Sequence, residues 1–402
     1  MNLKMMKRLG TGAVKDVFKT LPLLAAMPVN FLKKPGEDMP VRTESAWDEE
    51  RDDILERANW LCEKIIVSPK QLIKNMPATL GEEFGGQWAI YCCSMLAHAL
   101  ANIAVIYPDK AAQCPELIAR LIDIVNTREL RNYDTIKFHE DAIDSLHGNK
   151  SHMTYLSILA WMISNYKLTG GDARFDSLFD GCCEALNRRM LNSRYDLNLL
   201  SFPNTPIFLP DMLVAIIALR NYARLNNGKY QDTVDKWLYN AQTKWLDKRT
   251  GLLESMLPGA SRYRNKRSLR GSYVALNCSY LSMVDEGFAQ HQHERMKAVM
   301  CKETSVFGNK VFGIKEYMHK SPKFSFDIDA GLVVNGLSAS GSAFALGSCT
   351  FFGDWEMRSR LLQTAEVAGG TVKKNGKRHY RLGDVFITGE ATALAMRTNI
   401  KR

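Results

Sequence analysis

The 402-residue chain is poor in the spacings that announce well-known chemistries. No CxxC or HxxxH pair supports a zinc site, so no metal is expected. The nine cysteines are odd in number, and Cys92-Cys93 and Cys182-Cys183 are adjacent pairs inside apolar patterns. Neighbours in sequence make poor disulfide partners, so the reading is of buried thiols in a reducing, cytoplasmic compartment. A phosphate-binding loop and a hydrolase nucleophile elbow are both missing, since "GLSASG" has neither the spacing nor the strand context. With seven tryptophans, several in apolar helices, there is little material for a long sugar-binding cleft.

Charge excludes more than it assigns. The formal net charge of +10 comes from 53 basic and 43 acidic residues spread along the chain, which describes a solvated surface. No aromatic-lined basic face appears, so no nucleic-acid partner is expected. The densest basic run, "RYRNKRSLR" at 262–270, reads as a loop, with a phosphate or carboxylate ligand as the alternative.

The first 34 residues carry seven Lys or Arg against Asp16 alone, around an apolar run at 21–29 that is too short to span a bilayer. A peripheral membrane contact is one reading and a strap packed on the body is the other. Residues 1–43 therefore form a basic and apolar N-terminal extension, and residues 44–402 one domain.

Within 44–402, helices alternate in character. "GGQWAIYCCSMLAHALANIAVIYP" and "SHMTYLSILAWMISNYKLTG" are apolar on nearly every side, which demands burial. "CPELIARLIDIVNTREL" and "DARFDSLFDGCCEALNRRML" are amphipathic. The alternation continues to "DVFITGEATALAMRT", and five to six such pairs predict an all-α (α/α)6 barrel, apolar helices inside and amphipathic ones outside. No fixed period or consensus recurs, which counts against an open solenoid. A small C-terminal β-hairpin turns at Asn375-Gly376.

In such a barrel the candidates are polar residues at the entries to inner helices. They are Trp88 with Tyr91; His147, His152 and Tyr155; Asp211, directly after Pro210; Gly271 and Ser272 leading to Tyr273, Asn277 and Tyr280; and Glu316 with Tyr317. Asp327 and Asp329 stand two apart in an extended lead-in to a helix, so they point the same way, and crowding would keep one protonated. Helix capping is the alternative for Asp211 and for this pair. The small residues Gly336, Ser338, Ser340, Gly341 and Ser342 then let that helix approach its neighbours or a ligand. His98, on an apolar face, reads as a core residue.

Three of these segments, "SHMTYLSILAWMISNYKLTGGDARFDSLFD", "IFLPDML" and "DIDAGLVVNGLSASGSAFALGSCTFFGD", resemble the linalool dehydratase/isomerase-like family of (α/α)6 barrels. The resemblance implies a cofactor-independent acid-base lyase or isomerase for a small, partly apolar alcohol, with His152, Tyr155, Asp211 and Asp329 near the substrate. Cysteines beside the Pro-acid entry are also expected there, and this chain has none between Cys183 and Cys278.

The expectation is thus acid-base catalysis by Asp211, Asp327 and Asp329, with His152, Tyr155, Tyr273, Asn277, Glu316 and Trp88 binding a terpenoid alcohol-like or sugar-like molecule. A carbohydrate-active toroid and a silent scaffold barrel on a membrane surface are the alternatives. The oligomeric state is left open.

Overall fold

A computed structural model describes residues 41–76, 82–261, 268–306, 308–319, 324–327 and 331–402, with 82–84, 324, 326 and 327 described through their backbone. The N-terminal stretch 1–34 and most of the basic run at 262–270 lie outside the described residues. The described residues are mostly helical, with fourteen α-helices and three small sheets.

The apolar helices are α3 (Glu82–Ile106), α6 (Met153–Leu168), α8 (Leu209–Leu225), α10 (Gly271–Leu281), α12 (Ala339–Phe352) and α14 (Ile387–Arg397). Each packs on the next in that order, and α14 packs back on α3. α6 shows why its sequence lacks a polar face: every residue from Met153 to Tyr166 is buried. α3 is long and apolar enough from Gly85 to Ile106 to cross a membrane, but most of that stretch is buried inside the protein.

The amphipathic helices cover this set. α1 (Trp47–Ile65) packs on α3 and α14. α4 (Cys114–Val125) and α5 (Arg128–Phe138) both pack on α3, after the short α2 (Pro69–Asn75). α7 (Asp176–Leu191) covers α6, and α9 (Gln231–Lys244) covers α8. α11 (Glu286–Met300) covers α10, and α13 (Trp355–Gly369) covers α12. Side chains start several of them: Ser338, Asp285 and Asp354 accept from the backbone N–H groups of Gly341, Phe288 and Met357.

Three expectations need correction. "CPELIARLIDIVNTREL" is two helices rather than one, because α4 ends in a cap at Asn126 and α5 starts at Arg128. The C-terminal hairpin, β8 (Thr371–Lys374) with β9 (Lys377–Tyr380), forms as expected, with Asn375 at φ 52° and Gly376 at φ 67°. It is not alone: β1 (Ile207–Phe208) pairs with β2 (Met256–Leu257), and five strands form an antiparallel sheet ordered β3-β4-β7-β6-β5. These are β3 (Cys301–Val306), β4 (Asn309–Lys315), β5 (Phe324–Asp327), β6 (Gly331–Val334) and β7 (Leu337–Ser338).

The third correction follows from that sheet. The stretch after Asp329 enters a hairpin, not a helix, with Val334 paired to Leu337 around Asn335 (φ 48°) and Gly336 (φ 85°). Helix α12 begins only at Ala339, so Gly336 serves the turn and Ser338 the cap. The Asn-Gly dipeptide between "LVV" and "LS" is the same hairpin signal as at 375–376.

Candidate functional site

Asp211 is the third residue of α8, inside the first turn that Pro210 opens. Free N–H groups and the positive end of the helix dipole favour a carboxylate there. Its carboxylate reaches two side chains: Oδ2 accepts from Ser201 Oγ at 2.6 Å and Oδ1 accepts from Tyr91 Oη at 3.1 Å. Tyr91 belongs to α3, so two helices that are not neighbours in the packing order meet at this carboxylate.

Three phenols feel its charge. Burial, and then the negative charge of Asp211, hold the Tyr91 hydroxyl well above the usual tyrosine range. Burial and Asp211 push Tyr280 up as well. Tyr133, from α5, is raised first by burial and then by Asp134, Tyr155 and Asp211, and its buried hydroxyl has no hydrogen-bond partner. A buried, unpartnered donor that feels the charge of a half-buried carboxylate is a group a substrate oxygen could satisfy.

Aromatic rings flank the group. Trp88 lies 6.1 Å from Tyr91, Phe202 meets Tyr133 edge-on at 6.2 Å, and Tyr273 meets Phe208, at the head of α8, edge-on at 6.0 Å. Such rings offer apolar faces with polar tips.

The other expected residues have contacts of their own. His152 starts α6 with φ 45° and is fully enclosed, its Nδ1 2.5 Å from Asp134 Oδ2 and its Nε2 3.1 Å from Glu140 Oε1. Burial raises Asp134 above its ordinary value, against the pull of His152. Tyr155 is buried and donates to the Val125 carbonyl at the end of α4. Asn277 donates to the Glu254 carbonyl, and its Oδ1 has no hydrogen-bond partner.

Glu316, wholly buried, accepts from Arg270 Nε at 2.7 Å and from the backbone and hydroxyl of Ser272 at 3.1 Å each, which anchors the start of α10. The backbone of Asp327 pairs with Gly331 at the end of β5. Asp329 lies outside the described residues. His98 is a core residue, bonded to Asn399 and held down to about 3 by burial and then by Arg402.

Ser201, Tyr133 and Asp134 escape a reading of helix entries. Ser201 sits in a loop with no motif. Tyr133 and Asp134 belong to a covering helix, although Leu130, Asp134 and Phe138 share one face and are all buried. A carboxylate in an apolar stripe was the available signal.

One group among the described residues has donors close enough for a metal: His293, Cys349 and Asp354, with ligand atoms within 4.8 Å of one another. Spacing could not reveal it, since the three come from distant segments. Lys297 Nζ is 2.6 Å from Asp354 Oδ2, and burial keeps the Cys349 thiol well above its usual range, so an ion would have to displace an ammonium and a proton. All nine cysteines are free.

The chain matches no family model and no curated protein, so its functional reading rests on this geometry.

Proposed function

We propose that the chain is a cofactor-independent acid-base enzyme of the lyase or isomerase type, with a small, partly apolar alcohol held at the centre of an (α/α)6 barrel. The packing order of the six apolar helices, in which the last lies on the first, supports the barrel. The observation that carries the chemistry is the Tyr91 hydroxyl bonded to Asp211, with the buried, unpartnered Tyr133 hydroxyl within range of the same charge.

In this reading Asp211 is the base. Tyr91 and Tyr133, kept neutral by burial, hydrogen-bond the substrate oxygen, and Trp88 and Tyr273 supply apolar walls. For elimination, Asp211 takes a C–H proton and the freed pair forms the C=C bond. The hydroxyl leaves with the C–O pair and takes a proton from the complementary acid, assigned to Asp327 or Asp329, departing as water. Readdition of water at another carbon gives the isomer.

The aromatic pairs Trp88/Tyr91 and Phe208/Tyr273 favour a second substrate class, because ring faces also stack on sugars. One experiment separates the readings. Terpene alcohols and short sugars are incubated with the protein in deuterated water and followed by NMR. Deuterium entering a carbon of an alcohol, with the rate falling about 10²–10⁴-fold in Asp211→Asn, is the expected result. Exchange confined to sugars selects the second reading, and exchange unchanged in Asp211→Asn removes Asp211 from the chemistry.

A further inference from the structure

Where α5 and α7 end, the surface sinks into a hollow of about 850 Å³. Lys137, His139, Lys150, Arg189 and Arg194 line it, and no Asp or Glu is among the residues that do. Part of this basicity serves the backbone: Lys150 Nζ donates to the Phe138 carbonyl at the end of α5 and pairs with Glu140 at 3.2 Å, while Arg189 donates to the carbonyls of Ser145, Gly148 and Ser151 in the segment between α5 and α6. Carbonyl dipoles satisfy donors but carry no net charge.

Arg189 is therefore a guanidinium only 4% exposed whose hydrogen bonds all go to neutral oxygens. Burial, and then the neighbouring charge of Arg188, pull it down to about 10. Arg194, exposed at the rim, lies over the Tyr195 ring at 4.9 Å and donates to its hydroxyl, which gives a flexible cation a preferred direction. Several cations around a space of this size suit a compact polyanion on a small organic body better than a single planar carboxylate, which one guanidinium fork satisfies.

We propose that this hollow binds a phosphate-bearing small molecule, with the phosphate seated among Lys137, His139 and Arg194 over the buried charge of Arg189. Leu199, Leu200, Pro203 and Asn204 form its wall, and Ser201 in the same segment holds Asp211. The proposal concerns binding alone and stands whether or not Asp211 is catalytic.

Titration calorimetry of the full chain with inorganic pyrophosphate tests it. Saturable binding is expected, weakened about tenfold or more in Lys137→Ala/Arg194→Ala, as loss of charge-assisted hydrogen bonds requires. Thermal melting of the same variant establishes that it is folded. Lys302 and Lys315 line a second, smaller hollow of about 530 Å³, so Lys302→Ala/Lys315→Ala is the control and should bind as the wild type does. Absence of saturable heat, equal affinity in the first variant, or loss confined to the control overturns the proposal. Citrate binding as tightly as pyrophosphate also overturns it, in favour of a polycarboxylate site.

Discussion

Two carboxylates separate chemistry from architecture at the scale of single residues. Asp211 is half-buried and meets two hydroxyls, whereas Glu316 is completely enclosed and meets a guanidinium, a backbone N–H and a hydroxyl. Tyr91→Phe keeps the ring and removes one hydrogen bond from Asp211. It should leave the melting temperature within a few degrees while lowering turnover of whichever substrate the deuterium experiment identifies. A large fall in melting temperature would instead make the Tyr91 hydroxyl a structural bond. Glu316→Gln removes the charge from the hydrogen bonds to Arg270 and Ser272 and should cost about 1.5–3 kcal/mol in urea unfolding. Asp211 was legible because a polar residue beside a proline at the head of an apolar helix is conspicuous. Ser201, which donates to it, and Tyr133, which feels its charge, were not, because proximity across elements leaves no trace in local spacing.

Close approach between helices dominates the element scale. A Cβ at Gly271, where α10 begins, would fall 1.7 Å from the Lys315 carbonyl of β4. One at Gly347 would fall 2.6 Å from both Met396 Sδ of α14 and Ser279 Oγ of α10, and one at Gly341 3.2 Å from the Ser272 backbone. The small residues of α12 thus admit its neighbours. Gly389 in α14 has nothing within 4 Å of its missing Cβ. Two opposite outcomes are therefore expected in denaturant titrations: Gly271→Ala is destabilised by more than the about 1–3 kcal/mol of ordinary overpacking, because backbone has to move, and Gly389→Ala gains about 0.5–1 kcal/mol from helix propensity. Equal effects would mean that the packing at Gly271 relaxes freely. The sheet around β4 was missed for a related reason. Three of its strands are only two to four residues long, and hydrophobic periodicity cannot tell so short an apolar run as "GLVV" from part of a buried helix.

For the whole molecule, the first described helix and the last are joined by charge. Glu50 of α1 pairs with Arg358 of α13 at 2.7 Å and with Arg397 of α14 at 2.8 Å. Asp53 pairs with Arg57 at 3.1 Å and with Arg397, and Arg57 reaches Glu390 at 2.7 Å. Burial opposes ionisation of Glu50 and Asp53, but Arg358 and Arg397 on Glu50, and Arg397 and Arg57 on Asp53, outweigh it and bring each down to about 2. Both folded values lie below the unfolded ones of about 4, so the stabilisation is complete above that range and is lost as pH falls towards 2. Glu390 is shifted the other way, chiefly by burial, and does not contribute to that loss. Stability measured by urea unfolding should therefore decline from about pH 5 downward, and Glu50→Gln should lower the neutral plateau while flattening the acid limb. An unchanged acid limb in that variant would remove Glu50 from the pH response.

The sequence alone determined that apolar helices alternate with amphipathic ones, that the thiols stay unpaired, and that a carboxylate heads one of the buried helices. These are consequences of burial and backbone hydrogen bonding, which act along a single element and leave a periodic record. Tertiary structure decided that Tyr91 and Ser201 meet Asp211, that Glu316 anchors a helix start, that five strands form a sheet, and that α1 closes against α13 and α14 through charges some 300 residues apart. Those contacts depend on where separate elements come together, and the strength of an ion pair or the shift of a phenol depends on distance and desolvation there.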